Sequence, residues 1–581
     1  MMIKQLPLGL CLSLLFLGCT GSEQDKQPAE QPSADKQPAA EKNDQAQDKP
    51  RPASLPDRIM VSRETTRITQ PLDDDGYVDY LQALNDQATE GVAPENNFEV
   101  IVRQVMPFEE IAESLRSEYF RLLGIPIPNE SKDFFQEFIQ YALEQNNDPK
   151  QEDKVFEEHD RVMIKPWTAT EHPLASTWVK IQEKHLDQLV EGSRREKFYT
   201  PYLADVDEET GPMFQVVSML LPSIQQQRGI ARGLAIRALG RIGEEDLDAA
   251  WSDLQAIRRI SRHLSHGVTL IEELVAIAID GIAFNAEFHV LNSSALTADQ
   301  CKRFFADLQS MPPLPPLADK IDVGERFMGL DAAIAIARST QGKDHMDVLK
   351  QLMQSLKLIG ALSDATVTRD SMTQVALQED VNKQEARQVS SLIDWNVTLQ
   401  VLNRWYDKVV TANRLTDLAQ CQAALESIEQ EIEQMAAKLT NPASLLKTLG
   451  TQGSAKVIGE SLGHILVATL LPATSAVIRA ERRHLAHNHV ILVGFAVELY
   501  RRDMGMLPVA LADLSPRYLA AIPRDPLSDD PLKYTAKDKG FLLYSVGRNG
   551  VDDQGKTRHD AEQEDVAIQP EWDDITIQVD P

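Results

Sequence analysis

Few residues in this sequence have types and spacings that could perform catalytic or metal chemistry. His484, His487 and His489 fall within a turn and a half of one helix, and the first two share a face. Two arginines precede them directly, and no carboxylate follows at ligand spacing. We therefore interpret this segment as a partly exposed helix, with metal chelation as the alternative.

An acidic run near the start of the helical region also invites a metal interpretation. Residues 73–79 place four aspartates around Gly76. Aligning Gly76 with the invariant glycine of an EF-hand puts Gln82 at the twelfth position, where a bidentate Glu is needed. The run is therefore interpreted as an acidic cap on the next helix.

No catalytic residue can be assigned from motifs. The sequence lacks H-E-x-x-H and a glycine-rich dinucleotide fingerprint. It matches G-x-S-x-G at 459–463 and G-x-x-x-x-G-K-T at 550–557, but the first lies within an apolar segment interpreted as a buried core helix and the second overlaps an acidic loop, so neither has the strand–turn–helix context of its motif. A site assembled from distant His, Asp and Glu residues stays open, so enzyme activity is undecided and the balance favours a non-enzyme. The 59 Lys and Arg stand against 88 Asp and Glu, a net charge of −29, which argues against nucleic acid as a partner because a polyanion repels phosphates.

The best candidate for covalent chemistry is Cys19. It follows Lys4 and an apolar run over residues 6–17 that is too short to span a bilayer. The segment resembles a bacterial lipobox, which implies a signal peptide over 1–18 and a diacylglycerol on the Cys19 thiol. With Thr20 next, the resemblance implies an outer-membrane lipoprotein facing the periplasm. Ordinary secretion is the alternative.

Residues 19–57 contain the lipidated cysteine and a predicted disordered tether. The stretch is rich in Gln, Pro, Ala, Asp, Lys and Glu and has almost nothing to bury. Its 38 residues after Cys19 would have a root-mean-square reach of about 34 Å. Such a tether suits a folded body held away from a membrane. Cys301 and Cys421 are interpreted as separate buried thiols, with a disulfide as the alternative.

The elements that must position any site are helical. Apolar residues recur at helical spacing from about residue 77 to 505, and capping boxes are predicted at Thr269 and Thr297. Four prolines within 312–316 mark a boundary between helical regions at 58–311 and 312–482. We predict a mainly α fold, an irregular bundle of helices and hairpins, with a small C-terminal α+β module.

That module is predicted over 483–581. A helix ends near Gly505, and two alternating segments at 532–535 and 541–546 indicate a β-hairpin. The order of G-x-L-P-x-x-L-x-x-L, I-P-R-D-P and F-L-L-Y-S-V-G-R-N-G-V-D-D resembles the globular end of type II secretion major pseudopilins. The longer chain resembles a group of uncharacterised bacterial exported lipoproteins that append this module to a helical body.

The pseudopilin resemblance implies a structural calcium in the loop after the second strand. Carried over to this chain, the carboxylate ligands would be Asp552, Asp553 and Asp565, with the carbonyls of Leu543 and Ser545 as backbone donors. Crowded carboxylates repel unless a hard cation or solvent screens them, so a solvated acidic loop is the alternative. The lipobox and tether replace the hydrophobic helix of a pilus subunit, so we expect a reused domain.

Together these features predict a lipid-anchored cell-envelope protein. Its helical body would act as a non-enzymatic binding or scaffold protein for an unknown envelope protein, since paired helices form concave surfaces. A periplasmic hydrolase with a dispersed active site and a secretion-system accessory protein are the alternatives.

Overall fold

The computed structural model describes residues 59–128, 133–146, 152–204, 215–216, 219–220, 223–340, 393–439, 454–471, 474–537, 540–558, 560 and 571–579. This part of the chain is mainly helical, with a small antiparallel sheet near its C-terminal end, which confirms the predicted fold class. The predicted signal peptide, Cys19, the tether and Asp565 lie outside the described residues.

The helices before the predicted proline boundary are α1 Tyr80–Ala88, α2 Phe98–Val105, α3 Glu113–Leu123, α4 Phe138–Gln145, α5 Glu152–Ile164, α6 Pro173–Gly192, α7 Ser223–Gly243, α8 Leu247–Ser265, α9 Leu270–Leu291 and α10 Ala298–Ser310. Two short strands, β1 Leu203–Ala204 and β2 Met219–Leu220, pair between α6 and α7.

After the prolines come α11 Leu317–Lys320, a π-helical turn Ile321–Glu325, α12 Arg326–Thr340, α13 Trp395–Asn413, α14 Leu418–Leu439, α15 Ala455–Leu470 and α16 Thr474–Met504. A 3₁₀ turn at Leu511–Leu514 precedes β3 Lys533–Ala536, β4 Phe541–Ser545 and β5 Ile575–Val579.

Local sequence signals explain where the central helices begin and turn. Both predicted capping boxes are present, and at α9 the Thr269 hydroxyl accepts from Glu272 N–H at 3.2 Å while the Glu272 carboxylate accepts from Thr269 N–H at 2.9 Å. The α7–α8 hairpin turns tightly at Gly243, where a Cβ would collide with the Trp167 carbonyl. A side chain there would push the α5–α6 connection off the hairpin.

The larger of two main hydrophobic cores unites the first helices with the end of the chain. It contains residues of α2, α4 to α10, the second half of α16 and the C-terminal sheet. Leu291 of α9 and Ile577 of β5 both approach Gly494 of α16 so closely that a Cβ there would clash. The sheet is therefore packed as part of this core.

The second core joins the N-terminal segment to the helices after the prolines. Residues of 59–84 lie with α12 to α15 in one cluster. The rings of Tyr80 and Phe327 are 5.0 Å apart, and Arg67 pairs with Asp322 at 3.1 Å. Each core thus draws on segments that are distant in sequence.

The sheet has the order β3-β4-β5 and is antiparallel throughout. The predicted hairpin is present as β3 and β4, whereas β5 carried no recognised sequence signal. The helix leading into the module starts at Thr474 rather than near residue 483. Cys301 and Cys421 are both buried and free.

One described helix, α9, is long and apolar enough by length and composition to cross a membrane, and 56% of its most apolar window is buried within the protein. Buried polar residues of this helix include Glu272, Glu273, Asp280 and Glu287, and they bear on the sites below.

Candidate functional site

The described residues of the predicted calcium set lie on and after β4. Leu543 occupies the central strand, opposite Tyr534 and Ile577. Asp552 accepts from the Tyr544 hydroxyl at 2.9 Å, and Asp553 accepts from the Asn549 amide at 3.0 Å. Among the described residues no group of three or more His, Cys, Asp or Glu is placed to hold a metal ion. Because Asp565 lies outside them, calcium binding stays a prediction.

Ser545 instead connects two motifs of the module through its side chain. Its hydroxyl donates to Asp525 Oδ1 at 2.7 Å, and the Val546 N–H donates to Asp525 Oδ2 at 2.9 Å. Asp525, in the I-P-R-D-P turn, is 1% exposed and also accepts from Leu527 N–H. The turn and the end of β4 are therefore held together by one buried carboxylate.

Asp525→Ala is expected to lower the free energy of unfolding by about 2 kcal/mol. The substitution leaves the buried Val546 N–H without its acceptor and removes one of the two hydrogen bonds of the Ser545 hydroxyl, which keeps only the Val546 carbonyl. Unsatisfied buried donors are costly. Chemical denaturation of the full chain measures the loss. Asp530→Ala, at an exposed position in the same turn, is the control, and an equal loss in both variants would contradict the proposed role.

The histidine segment packs on α9 and is more buried than the sequence suggested. His484 is 4% exposed and lies 3.3 Å from the Asp280 carboxylate, while His487 stacks on Phe284 with ring centroids 4.5 Å apart. Asp280 and Phe284, the partners of His484 and His487, are one turn apart on α9. The two histidines therefore share one face of α16, and this face packs against α9.

Asp280 belongs to a buried cluster of charged residues. Arg258 of α8 bonds both to Asp280 and to Glu287, with Nη2 2.5 Å from Glu287 Oε2. Burial opposes ionisation of Asp280, but Arg258 and then Arg262 outweigh it and hold the pKa of Asp280 at about 2. The charges of this cluster are paired and hydrogen-bonded, so we interpret it as a structural contact that connects α8, α9 and α16.

A surface groove with different properties lies between the end of α6, α8 and α10. We call it the arginine groove, because Arg194, Arg259 and Arg303 line it, and its volume is about 430 Å³. The other lining residues are Asp248, Trp251, Ser252, Gln255, Phe304, Ala306 and Asp307.

Helix geometry places these residues together. Gln255 and Arg259 are one turn apart on α8, and Arg303 and Asp307 are one turn apart on α10. Arg194 follows directly after the end of α6. Three separate elements therefore bring their guanidinium groups to one opening.

The base of the groove is rigid. The rings of Trp251 and Phe304 stack with centroids 4.3 Å apart and an interplanar angle of 14°. Trp251 Nε1 donates to Asp307 Oδ2 at 2.9 Å, and Arg303 pairs with Asp248 at 2.8 Å. The ring stack and the indole hydrogen bond fix the walls on α8 and α10 before any ligand arrives.

Two groups in the groove have unused capacity to donate hydrogen bonds. Gln255 is 6% exposed, and its buried Nε2 has no partner among the described residues. Arg259 donates to the Ser193 hydroxyl at a long 3.4 Å. Burial, and then the charge of Arg194, lowers the pKa of Arg259. A bound anion would relieve both the buried donor and the repulsion between the arginines.

A second concave surface, about 530 Å³ in volume, is lined by Arg63, Arg67, Ile68, Thr69 and Gln70. Arg67 is already paired with Asp322 at 3.1 Å and lies 3.7 Å from Asp407. The larger surface therefore has two arginines, of which Arg67 is already neutralised. The arginine groove is the better candidate binding site.

No sequence motif marks the arginine groove. The available signal was the spacing of Asp248, Trp251, Gln255 and Arg259, which places polar and aromatic residues on one helical face. That spacing does not reveal that Arg194 and Arg303 approach the same face.

Comparison with known proteins gives no match: no family model matches the chain, and no curated protein or solved structure is similar to it. The resemblance of the C-terminal module to pseudopilins stays a prediction. What the groove can bind follows from its own residues.

Proposed function

We propose that this protein is a non-enzymatic binding protein of the cell envelope, anchored by lipid at Cys19, whose helical body captures an envelope partner in the arginine groove. The observation that carries the binding role is the buried Gln255 Nε2, which has no hydrogen-bond partner in the described part of the chain and lines the same groove as Arg259. Natural structures rarely leave a buried donor without a partner, and a ligand is one reason to do so.

The anchor is supported by the sequence of the leader. A cysteine that carries several acyl chains binds a membrane firmly, since each buried methylene contributes about 0.8 kcal/mol. A tether of 38 residues leaves the body free to meet partners within about 34 Å of its anchor.

The hydrolase alternative would need a nucleophile hydrogen-bonded to a base. The hydrogen bonds of the described histidines go elsewhere: His172 bonds to Glu158, His263 to the Ser193 carbonyl and His484 to Asn488. The arginine groove offers donors and positive charge, which suits binding of an anion.

Cys19→Ser is expected to move the protein from the membrane fraction to the soluble envelope fraction, because the thiol is the acyl acceptor. Cys11→Ser, in the leader upstream, is the matched control and should stay membrane-bound. Fractionation followed by immunoblotting measures both. Unchanged membrane association of Cys19→Ser would refute the anchor.

The binding role is tested by affinity purification from solubilised membranes with the wild-type chain and Arg259→Gln. We expect proteins that co-purify with the wild type and are lost with the variant. Recovery of the same proteins by both chains would remove the groove from the proposed function.

A further inference from the structure

We infer that the arginine groove recognises carboxylate groups on an acidic peptide segment of the partner protein. This inference rests on the proposed binding function and specifies its ligand.

Two donors that line the groove, on Gln255 and Arg259, suit an oxyanion. Gln255 Nε2 is buried without a partner among the described residues, and the Arg259 guanidinium lies one helical turn further along α8. The hydrogen bond from Arg259 to Ser193 is long, at 3.4 Å. An amide and a planar guanidinium side by side can donate together to the two oxygens of a carboxylate.

The remaining charges of the groove favour a singly charged group. Asp248 and Asp307 line it together with the three arginines. Asp248 is paired with Arg303 at 2.8 Å, whereas Asp307 accepts from the neutral indole of Trp251. The charged residues that line the groove carry a net charge of +1, which one carboxylate neutralises, whereas a doubly charged phosphate would leave an excess negative charge beside Asp307.

The arrangement of the arginines favours a segment that carries more than one carboxylate. Arg194 and Arg303 have side chains that are 55% and 60% exposed, and they flank the more buried Arg259. Their present partners, Glu191 and Asp248, are also exposed. Surface ion pairs of this kind contribute little free energy, so carboxylates of the ligand can replace these partners at little cost. The stacked Trp251 and Phe304 give the segment a rigid wall.

The experiment uses the purified full chain and a fluorescein-labelled octapeptide of alternating Glu and Ala, followed by fluorescence anisotropy. The matched probe is the same peptide with Gln in place of Glu. We expect the Glu peptide to bind, the Gln peptide to bind at least tenfold more weakly, and acetate to compete better than inorganic phosphate at equal ionic strength.

Three variants locate the site. Arg259→Gln should weaken binding of the Glu peptide at least tenfold, and Arg303→Gln, at an exposed position that the fold does not need, should weaken it about threefold. Arg161→Gln, at an exposed position on α5 outside the groove, should leave it unchanged. We expect Arg303→Gln to fold normally. Its binding of the Glu peptide therefore tests the groove even if Arg259→Gln loses stability.

Equal binding of the Glu and Gln peptides, or stronger competition by phosphate than by acetate, would overturn the inference. So would unchanged binding by both groove variants. If the Glu peptide does not bind while proteins still co-purify in an Arg259-dependent way, the ligand class is wrong and the proposed binding function stands.

Discussion

Arg258→Met is expected to lower the free energy of unfolding by about 4 kcal/mol, since removing one partner of a buried ion cluster leaves the other charges uncompensated. Arg258 is buried and bonds to Asp280, Glu287 and Asn488, which lie on α9 and α16. Methionine keeps much of the side-chain length but provides no donor. Urea denaturation of the full chain at pH 7 measures the loss.

Two further variants separate the charge effect from the packing effect. Arg258→Met combined with Glu287→Met removes both charges and should recover much of the lost stability, because apolar replacement of a whole buried pair is often tolerated. Arg161→Met, at an exposed pair with Glu157, should leave the midpoint unchanged. A double variant as unstable as Arg258→Met alone would show that packing, not charge, dominates.

The Arg258 prediction also has a pH dependence with a defined sign. The arginines hold the pKa of Asp280 at about 2, below the value of about 3.9 in an unfolded chain. The stabilisation from this carboxylate is therefore present above pH 4 and is lost as the pH falls toward 2. The deficit of Arg258→Met should accordingly shrink below pH 4.

Glu273→Gln is expected to raise the free energy of unfolding by about 4 kcal/mol at pH 8 and by about 1 kcal/mol at pH 5. Glu273 is 1% exposed, its Oε2 has no partner among the described residues, and burial raises its pKa to about 8. Lys320 opposes this shift only in part, because its ammonium donates to the carbonyls of Ser265 and Gly267. Glutamine reproduces the neutral form of the side chain at every pH.

The sign follows from the two pKa values. In the unfolded chain Glu273 loses its proton near pH 4.3, whereas the folded protein keeps it up to about pH 8. The contribution of Glu273 to the free energy of unfolding is therefore most favourable below pH 4 to 5, and it becomes less favourable as the pH rises toward 8. Glu273→Gln lacks this part of the pH dependence of the free energy of unfolding.

Urea denaturation of both chains at intervals from pH 5 to pH 8 tests the second prediction. Glu183→Gln, at an exposed position on α6, is the control and should run parallel to the wild type. Some slope should remain in Glu273→Gln, because burial also raises the pKa values of Glu325 and Asp331 to about 7. Identical slopes in wild type and Glu273→Gln would show that Glu273 is ionised in the folded protein.

Local features of the fold were predictable because they depend on neighbouring residues. The Thr269 and Thr297 capping boxes and the β3–β4 hairpin each arise from spacing within one segment, and each is present. The start of α16 and the strand β5 were not predicted. Both are stabilised by contacts with distant parts of the chain, such as Ile577 against Gly494.

The candidate site could not be predicted from the sequence, for a related reason. The histidines of α16 could be placed on one face, but their burial against Asp280 and Phe284 depends on a helix two hundred residues earlier. Likewise Arg194, Arg259 and Arg303 carry no motif, and the partners of Arg259 and Arg303 are set by how α6, α8 and α10 pack.

The sequence by itself determined the helical class of this protein, the ends of several helices and the hairpin near its C-terminus, because these follow from side-chain periodicity and local hydrogen bonding. Only the tertiary structure decided that Arg258 is neutralised while Arg259, the next residue, has no paired carboxylate among the described residues. Adjacent residues on a helix point about 100° apart, so one guanidinium enters the core and the other enters the groove.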